Sequence, residues 1–140
     1  MIPTPKSAAV AIAFIALTAA FGCNSRRNAP AEDHSARIAA ATFITDLYSR
    51  SRLATWNVRA SAAGADCAVL LINVSIIMED SMVEAMHYGA GDYEIYTGGL
   101  RNFSRQRGFR AVVYEDSSRH QWPYPTTLPI NEAETLTPCH

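Results

Sequence analysis

The sequence predicts a small α+β domain with a mainly antiparallel sheet and two helices packed on one face. Its predicted elements run in the order helix, three strands, helix, two strands, which favours this class. The most apolar stretch beyond the N-terminal segment, Cys67–Met78, is rich in β-branched residues, as buried strands are. The segment from Cys23 to His140 is long enough for one domain and too short for two.

The first predicted helix runs from a capping Ser35 to about Ser51. Apolar side chains recur in it at spacings of three and four residues, as on the buried face of an amphipathic helix. This face consists of Ala40, Phe43, Ile44, Leu47 and Tyr48. The helix therefore opens the folded domain, to which we assign residues 35–125.

Two strands are predicted next. Residues Thr55–Ser61 alternate between apolar and polar side chains, which is typical of a half-buried strand. A turn at Ala62–Asp66 then leads into Cys67–Met78, the expected central strand of the sheet.

The segment Met82–Tyr88 allows two interpretations. As a strand, it would form a hairpin with the preceding strand across Glu79–Ser81. As a helix, it would be capped by Asp80 or Ser81 and would end at Gly89. We favour the strand and its hairpin.

A second helix is predicted within Tyr93–Arg107, before a terminating Gly108. Its apolar positions are Tyr96, Leu100 and Phe103. The pair Gly98–Gly99 weakens the first half of this helix by about 1 kcal/mol per residue, which favours a start at Thr97.

Two strands and a tail complete the predicted chain. Phe109–Asp116 has the pattern of a strand, and Arg119–Tyr124 can return as an edge strand ended by prolines. Residues 126–140 are rich in Pro and Thr, and we expect them to form an irregular tail.

The N-terminal segment has the features of an export signal. Lys6 precedes an apolar run, Ala8–Phe21, which ends at Gly22 and Cys23. The run is shorter than the roughly 20 residues of a membrane-spanning helix and suits a signal-peptide core. Its last four residues, AFGC, resemble the lipobox of bacterial lipoproteins.

This resemblance implies that residues 1–22 are removed as a signal peptide and that Cys23 carries acyl chains. Residues 23–34 would then be a flexible tether. The protein would be lipid-anchored in the bacterial cell envelope. In lipoproteins an Asp after the cysteine favours the inner membrane, so Asn24 favours the outer membrane or a periplasm-facing position.

Two positions depart from the lipoprotein pattern, which favours Leu at Ala20 and a small residue at Phe21. Two alternatives therefore stay open. One is an ordinary signal-peptidase cut after Gly22, and the other is an uncleaved anchor with positive charges on both sides.

The three cysteines agree with an oxidising compartment. If Cys23 takes lipid, Cys67 and Cys139 remain as a pair, and we predict a disulfide between them. It would close a loop of roughly 70 residues, which is worth about 4 kcal/mol in the chain-entropy model. The alternative is two free thiols. No cysteine lies within two to four residues of another, so we expect no metal site.

The net charge of −1 gives no support for a nucleic-acid partner. Arg101 and Arg105 lie one helical turn apart, and Arg110 follows shortly after. Together they are a candidate anion patch for phosphate groups of lipids or glycan polymers. The alternative is a solvated face balanced by Glu115 and Asp116.

Six residues have the chemical types that small secreted ribonucleases use. In those enzymes a carboxylate and an imidazole exchange protons while an arginine stabilises the phosphate. The six are Glu84, His87, Arg101, Arg110, Glu115 and His120. Their spacing does not show that they converge.

The leading hypothesis is an envelope-anchored lipoprotein whose domain binds or scaffolds and does not catalyse. Its expected partners are the membrane, through the N-terminal lipid, and envelope proteins or cell-wall polymer. We assign no catalytic residue, cofactor or metal. One alternative is a small secreted hydrolase with a nuclease-like acid–base site. Another is an inhibitor of an envelope enzyme, acting through a rigid loop at Gly89–Asp92.

Overall fold

The computed structural model describes residues 29–140, with side chains from Asp33 onward. This part contains four α-helices and one four-stranded sheet, so the α+β class is confirmed. The elements are α1 (Ala29–Ser49), β1 (Arg59–Ala63), β2 (Val69–Asn73), α2 (Asp80–Tyr88), α3 (Gly99–Gln106), β3 (Ala111–Glu115), β4 (Gln121–Tyr124) and α4 (Ile130–Glu134). The predicted signal peptide and Cys23 lie outside the described residues.

The sheet is mixed: two of its three strand pairs are antiparallel, in line with the predicted mainly antiparallel sheet, and the parallel central pair was not predicted. Its strand order is β1-β2-β3-β4. The outer pairs are antiparallel, whereas the central pair, β2 and β3, is parallel. Parallel neighbours need a connection that crosses back over the sheet, and α2 and α3 form it. The predicted central strand and the predicted edge strand are both present, as β2 and β4.

The segment Met82–Tyr88 belongs to helix α2, so the predicted strand and hairpin are wrong. Val83, Met86 and His87 are its buried residues, at the three- and four-residue spacing of a helix face. Gly89 ends the helix with a φ of 76°, a left-handed conformation that glycine adopts without a Cβ clash. The helical alternative and its end at Gly89 were correct, but the N-cap is Glu79 and not Asp80 or Ser81.

Two N-terminal boundaries also differ from the prediction. Helix α1 begins within the predicted tether, six residues before Ser35. Its alanine-rich sequence favours a helix, and Pro30 lies in the first turn, where proline is tolerated. The first strand is shorter and later than Thr55–Ser61, because Ala54–Trp56 forms a 3-10 helix.

Three helices, α1, α2 and α3, cover one face of the sheet, where two were predicted. Large buried side chains there include Ile44 and Tyr48 from α1, Met86 from α2, Phe103 from α3 and Tyr114 from β3. Phe43, although predicted on the buried face of α1, is 46% exposed.

The C-terminal residues cover the opposite face, which corrects both the predicted irregular tail and the domain end at residue 125. Leu128, Ala133 and Leu136 pack against the side chains of β1, β2 and β3 that point away from the three helices. Pro138 forms a β-bridge with Ala63 of β1. We call residues 126–140 the C-terminal strap. These three apolar side chains, spaced among Pro and Thr, hold the segment in place although its sequence shows no periodic apolar pattern.

The cysteine pair predicted from parity is present. Cys67 and Cys139 lie at disulfide-bonding distance, with their Cα atoms 6.0 Å apart. The amide of Cys139 also donates a hydrogen bond to the carbonyl of Ala62, at 2.7 Å. The pair therefore fixes the end of the C-terminal strap beside the start of β2.

Candidate functional site

A cavity of about 340 Å³ opens where α2 and α3 meet the start of β3 and the end of β4. We call it the His87 cavity. Its polar and aromatic lining residues include His87, Tyr88, Arg101, Arg105, Arg110 and Tyr124. This volume lies within the range of small-molecule sites, which is roughly 300–1,000 Å³.

Two glycines, Gly89 and Gly99, allow the two helices that form the walls of this cavity to approach closely. Gly99, the first residue of α3, has a φ of 75°, and a Cβ there would overlap main-chain atoms of His87 and Gly89. The main chains of α2 and α3 therefore approach each other directly. This approach sets the last turn of α2, with His87, beside the part of α3 that carries Arg101.

The His87 imidazole is almost fully buried and is held by two tyrosines. Its Nδ1 atom lies 2.9 Å from the hydroxyl oxygen of Tyr114, a fully buried residue of β3. Its ring stacks on Tyr124, with the ring centroids 4.0 Å apart and the planes 22° from parallel. Tyr88 meets it edge-on at 4.9 Å. These contacts fix the orientation of the imidazole.

The imidazole is neutral at neutral pH. Burial, and then the positive charges of Arg101 and Arg105, lower the pKa of His87 to about 4. Burial also raises the pKa of the Tyr114 and Tyr124 hydroxyls, so both stay protonated. The arginines are therefore the charged groups of the cavity at neutral pH.

Arg101 and Arg105 supply positive charge without local compensation. Among residues 33–140, no carboxylate lies within ion-pair distance of either guanidinium. The lining contains no Asp or Glu. The Arg101 guanidinium carbon lies 5.6 Å from the centroid of the Tyr88 ring, in a cation–π arrangement that limits its positions.

Arg110 also lines the cavity, but its charge is compensated. Its guanidinium pairs with Asp66, at 2.7 Å between Nε and Oδ2, and with Glu132 of the C-terminal strap. The structure therefore places all three residues of the candidate anion patch around one cavity. Two of the three, Arg101 and Arg105, direct uncompensated charge toward it.

The six residues of the hydrolase hypothesis do not form one site. Glu115 and His120 line a second cavity, of about 440 Å³. Because side chains alternate along a strand, Glu115 projects from the sheet face opposite to Tyr114 and His87. Glu84 is exposed, and its carboxylate forms no ion pair within residues 33–140. After burial, its negative charge contributes to the raised pKa of Tyr124.

Sequence reasoning missed the tyrosines that surround His87. No sequence pattern linked Tyr114 or Tyr124 to the histidine. The available signal was the helical interpretation of Met82–Tyr88, which puts His87 on the same buried face as Val83. A histidine on that face packs against the helix-covered side of β2 and β3, where Tyr114 carries a hydroxyl and its neighbours Leu70, Ile72 and Val112 are apolar.

The loop Gly89–Asp92 is exposed from residue 90 to residue 92. Its Asp92 carboxylate pairs with Arg52 at 3.1 Å, and both side chains are exposed. An ion pair of this kind contributes under about 1 kcal/mol. The inhibitor-loop hypothesis therefore gains an exposed loop, which is held at its start by the amides of Gly89 and Ala90 donating to the carbonyl of Ala85, each at 2.9 Å.

Comparisons with known proteins give no assignment: no protein-family model, no curated protein and no solved structure matches the chain. Within residues 29–140, no helix has both the length and the hydrophobicity needed to cross a membrane. In the same range, no three His, Cys, Asp or Glu side chains are placed to hold a metal ion.

Proposed function

We propose that this protein is an envelope-anchored binding protein, held by lipid on Cys23, whose His87 cavity binds a ligand through an anionic group. The cavity carries the binding part of the proposal. Two uncompensated guanidinium groups and a rigidly held imidazole line one opening that has no carboxylate in its lining. Such a surface attracts anions, and its lining residues carry no negative charge.

The anchor is supported by the lipobox-like sequence before Cys23 and by the pairing of the other two cysteines, which suits an oxidising compartment. Several acyl chains would anchor the domain stably, because each buried methylene contributes about 0.8 kcal/mol.

Intact mass of the protein extracted from membranes tests the anchor. We expect a chain that begins at Cys23 and carries added acyl mass. A Cys23→Ser form should lose the acyl mass and leave the membrane fraction. A Cys23→Ser form that stays acylated and membrane-bound would contradict the proposal.

Thermal stabilisation by small anions tests the cavity. We expect phosphate or carboxylate compounds to raise the melting temperature of the wild-type protein and to have little effect on an Arg101→Gln/Arg105→Gln variant. Arg107→Gln is a matched control, because this neighbouring arginine does not line the cavity and packs over Phe103 instead. Equal stabilisation of all three proteins would contradict the assigned site.

A second candidate function is acid–base hydrolysis at the other cavity. Its support is that Glu115, Arg119 and His120 line one opening. The Glu115 carboxylate accepts a hydrogen bond from Gln121 at 2.9 Å, which holds it in place. Turnover of a generic phosphodiester by the purified protein, abolished by Glu115→Gln, would favour this candidate. No turnover would exclude that activity.

A further inference from the structure

The buried hydroxyl of Tyr114 determines which nitrogen of His87 carries the proton. Tyr114 is fully buried, and among the described residues its hydroxyl has one hydrogen-bond partner, Nδ1 of His87. If Nδ1–H were the donor, the tyrosine hydrogen would be buried without an acceptor, which costs about 1–3 kcal/mol. We therefore assign the tyrosine as donor and Nδ1 as acceptor. In a neutral imidazole the remaining proton is then on Nε2.

The Nε2–H group faces the His87 cavity. Nε2 has no hydrogen-bond partner among the described residues, and no buried side-chain nitrogen or oxygen in this part of the chain is left without one. Nε2 is therefore the accessible edge of an otherwise buried ring, and His87 is a lining residue of the cavity. This edge presents a neutral hydrogen-bond donor to whatever enters.

Three side chains thus offer donors to the same opening. Arg101 and Arg105 carry only N–H donors and one positive charge each, and His87 adds a fixed neutral donor. A carboxylate offers two oxygens and one negative charge. A phosphate monoester offers three terminal oxygens and close to two negative charges, which matches three donor groups and two cations.

The cavity also has room and surface for an organic group. Its volume of about 340 Å³ equals that of about ten water molecules in the liquid, which is more than a phosphate group alone needs. Tyr88 and Tyr124 line it with aromatic rings, on which an apolar or planar group can pack.

Resting on the proposed function, we infer that the His87 cavity is a phosphate-monoester site. The two guanidinium groups and Nε2–H of His87 hold the phosphate, and the tyrosines contact the attached organic group. The ester has two possible sources, a soluble metabolite or a lipid headgroup.

The tautomer is tested by long-range ¹H–¹⁵N NMR on the full chain in detergent. Signals of His87 are identified among the four histidines by their loss in a His87→Phe/Tyr114→Phe variant. This variant has an aromatic ring at each of the two positions and removes both hydrogen-bonding groups, so it leaves no unpaired buried polar group. We expect an unprotonated Nδ1 and a protonated Nε2. The opposite tautomer would overturn the inference.

Binding is tested by calorimetry on the same full-chain sample. The probes are phenyl phosphate, inorganic phosphate, benzoate and a short-chain phosphatidic acid. We expect phenyl phosphate and phosphatidic acid, the two monoesters, to bind at least tenfold more tightly than inorganic phosphate or benzoate. Tighter binding of phenyl phosphate would indicate a soluble source, and tighter binding of phosphatidic acid a lipid source. Arg101→Gln and Arg105→Gln should each weaken binding at least tenfold, and the double Phe variant at least threefold. Arg107→Gln should change it less than twofold.

The possible failures are distinguishable. If benzoate binds as tightly as phenyl phosphate and both depend on Arg101, the phosphate inference is overturned while the anionic ligand of the proposed function stands. If inorganic phosphate binds as tightly as the esters, the ester part is overturned. If none of the four probes binds, the inference and the proposed binding function both fail.

Discussion

At the scale of single residues, His87 combines deep burial with an accessible edge. One edge of the ring accepts the Tyr114 hydroxyl, one face stacks on Tyr124, and the other edge reaches the cavity. A neutral, oriented imidazole can donate to a ligand without the desolvation cost that a buried charge carries. The positive charge of the site is carried by Arg101 and Arg105, which are exposed to solvent.

The buried imidazole makes folding stability depend on pH. Its pKa is about 4 in the folded protein and about 6.5 in an unfolded chain, so the unfolded state binds more protons between these values. The contribution of His87 is fully present above about pH 6.5 and is lost as the pH falls toward about 4. We expect a loss of roughly 3 kcal/mol, since each pKa unit is worth about 1.4 kcal/mol.

Urea unfolding across this pH range measures the effect. The His87→Phe/Tyr114→Phe variant is the control, because it lacks the titrating ring and keeps the packing. Its stability should change less than that of the wild type between about pH 7 and pH 4. Identical pH profiles for the two proteins would contradict the buried, neutral imidazole.

At the scale of elements, the direct approach of α2 and α3 forms the cavity. The sequence identified Gly98–Gly99 as a weak point of a helix. The structure shows a packing role instead, because a Cβ at Gly99 would overlap the main chain of α2. Local propensity cannot reveal such a contact, since it depends on α2 being a helix. The same misassigned element also concealed the parallel pairing of β2 and β3.

Gly99→Ala should therefore destabilise the protein strongly. A Cβ there meets main-chain atoms that cannot move aside, and the φ of 75° is unfavourable for alanine. We expect a loss of about 2–4 kcal/mol in urea unfolding. Gly91→Ala is the matched control, because its φ of 56° is also positive but its Cβ would meet nothing within 4 Å. It should cost only about 1–2 kcal/mol, and equal losses would contradict the packing role.

At the scale of the whole molecule, the fold has three layers: helices α1 to α3, the sheet, and the C-terminal strap. The order of the predicted elements was enough to predict the α+β class, the β-branched run Cys67–Met78 the central strand, and cysteine parity the cysteine pair. The strap was not predictable from its pattern, because Leu128, Ala133 and Leu136 are held by contacts with distant strands. The cavity itself was not predicted: Arg101 and Arg105 were named as part of an anion patch, and His87 was named separately as an acid–base residue.

Loss of the Cys67–Cys139 link should loosen the strap. The two cysteines are 72 residues apart, and a loop of that length is worth about 4 kcal/mol in the chain-entropy model. We expect reductant to lower the free energy of unfolding by about 2–4 kcal/mol. A Cys67→Ala/Cys139→Ala variant should be equally weakened and insensitive to reductant. A wild-type protein that reductant leaves unchanged would contradict the structural role of the pair.

On the proposed function, the His87 cavity, and no other surface of the domain, binds the ligand. Amide and side-chain NMR shifts during a titration of the full chain with phenyl phosphate test it most directly. We expect saturable shifts at His87, Arg101, Arg105 and Tyr124, and none at the cavity lined by Glu115 and His120. Saturable shifts at that second cavity instead, or no saturable shifts at all, would contradict it.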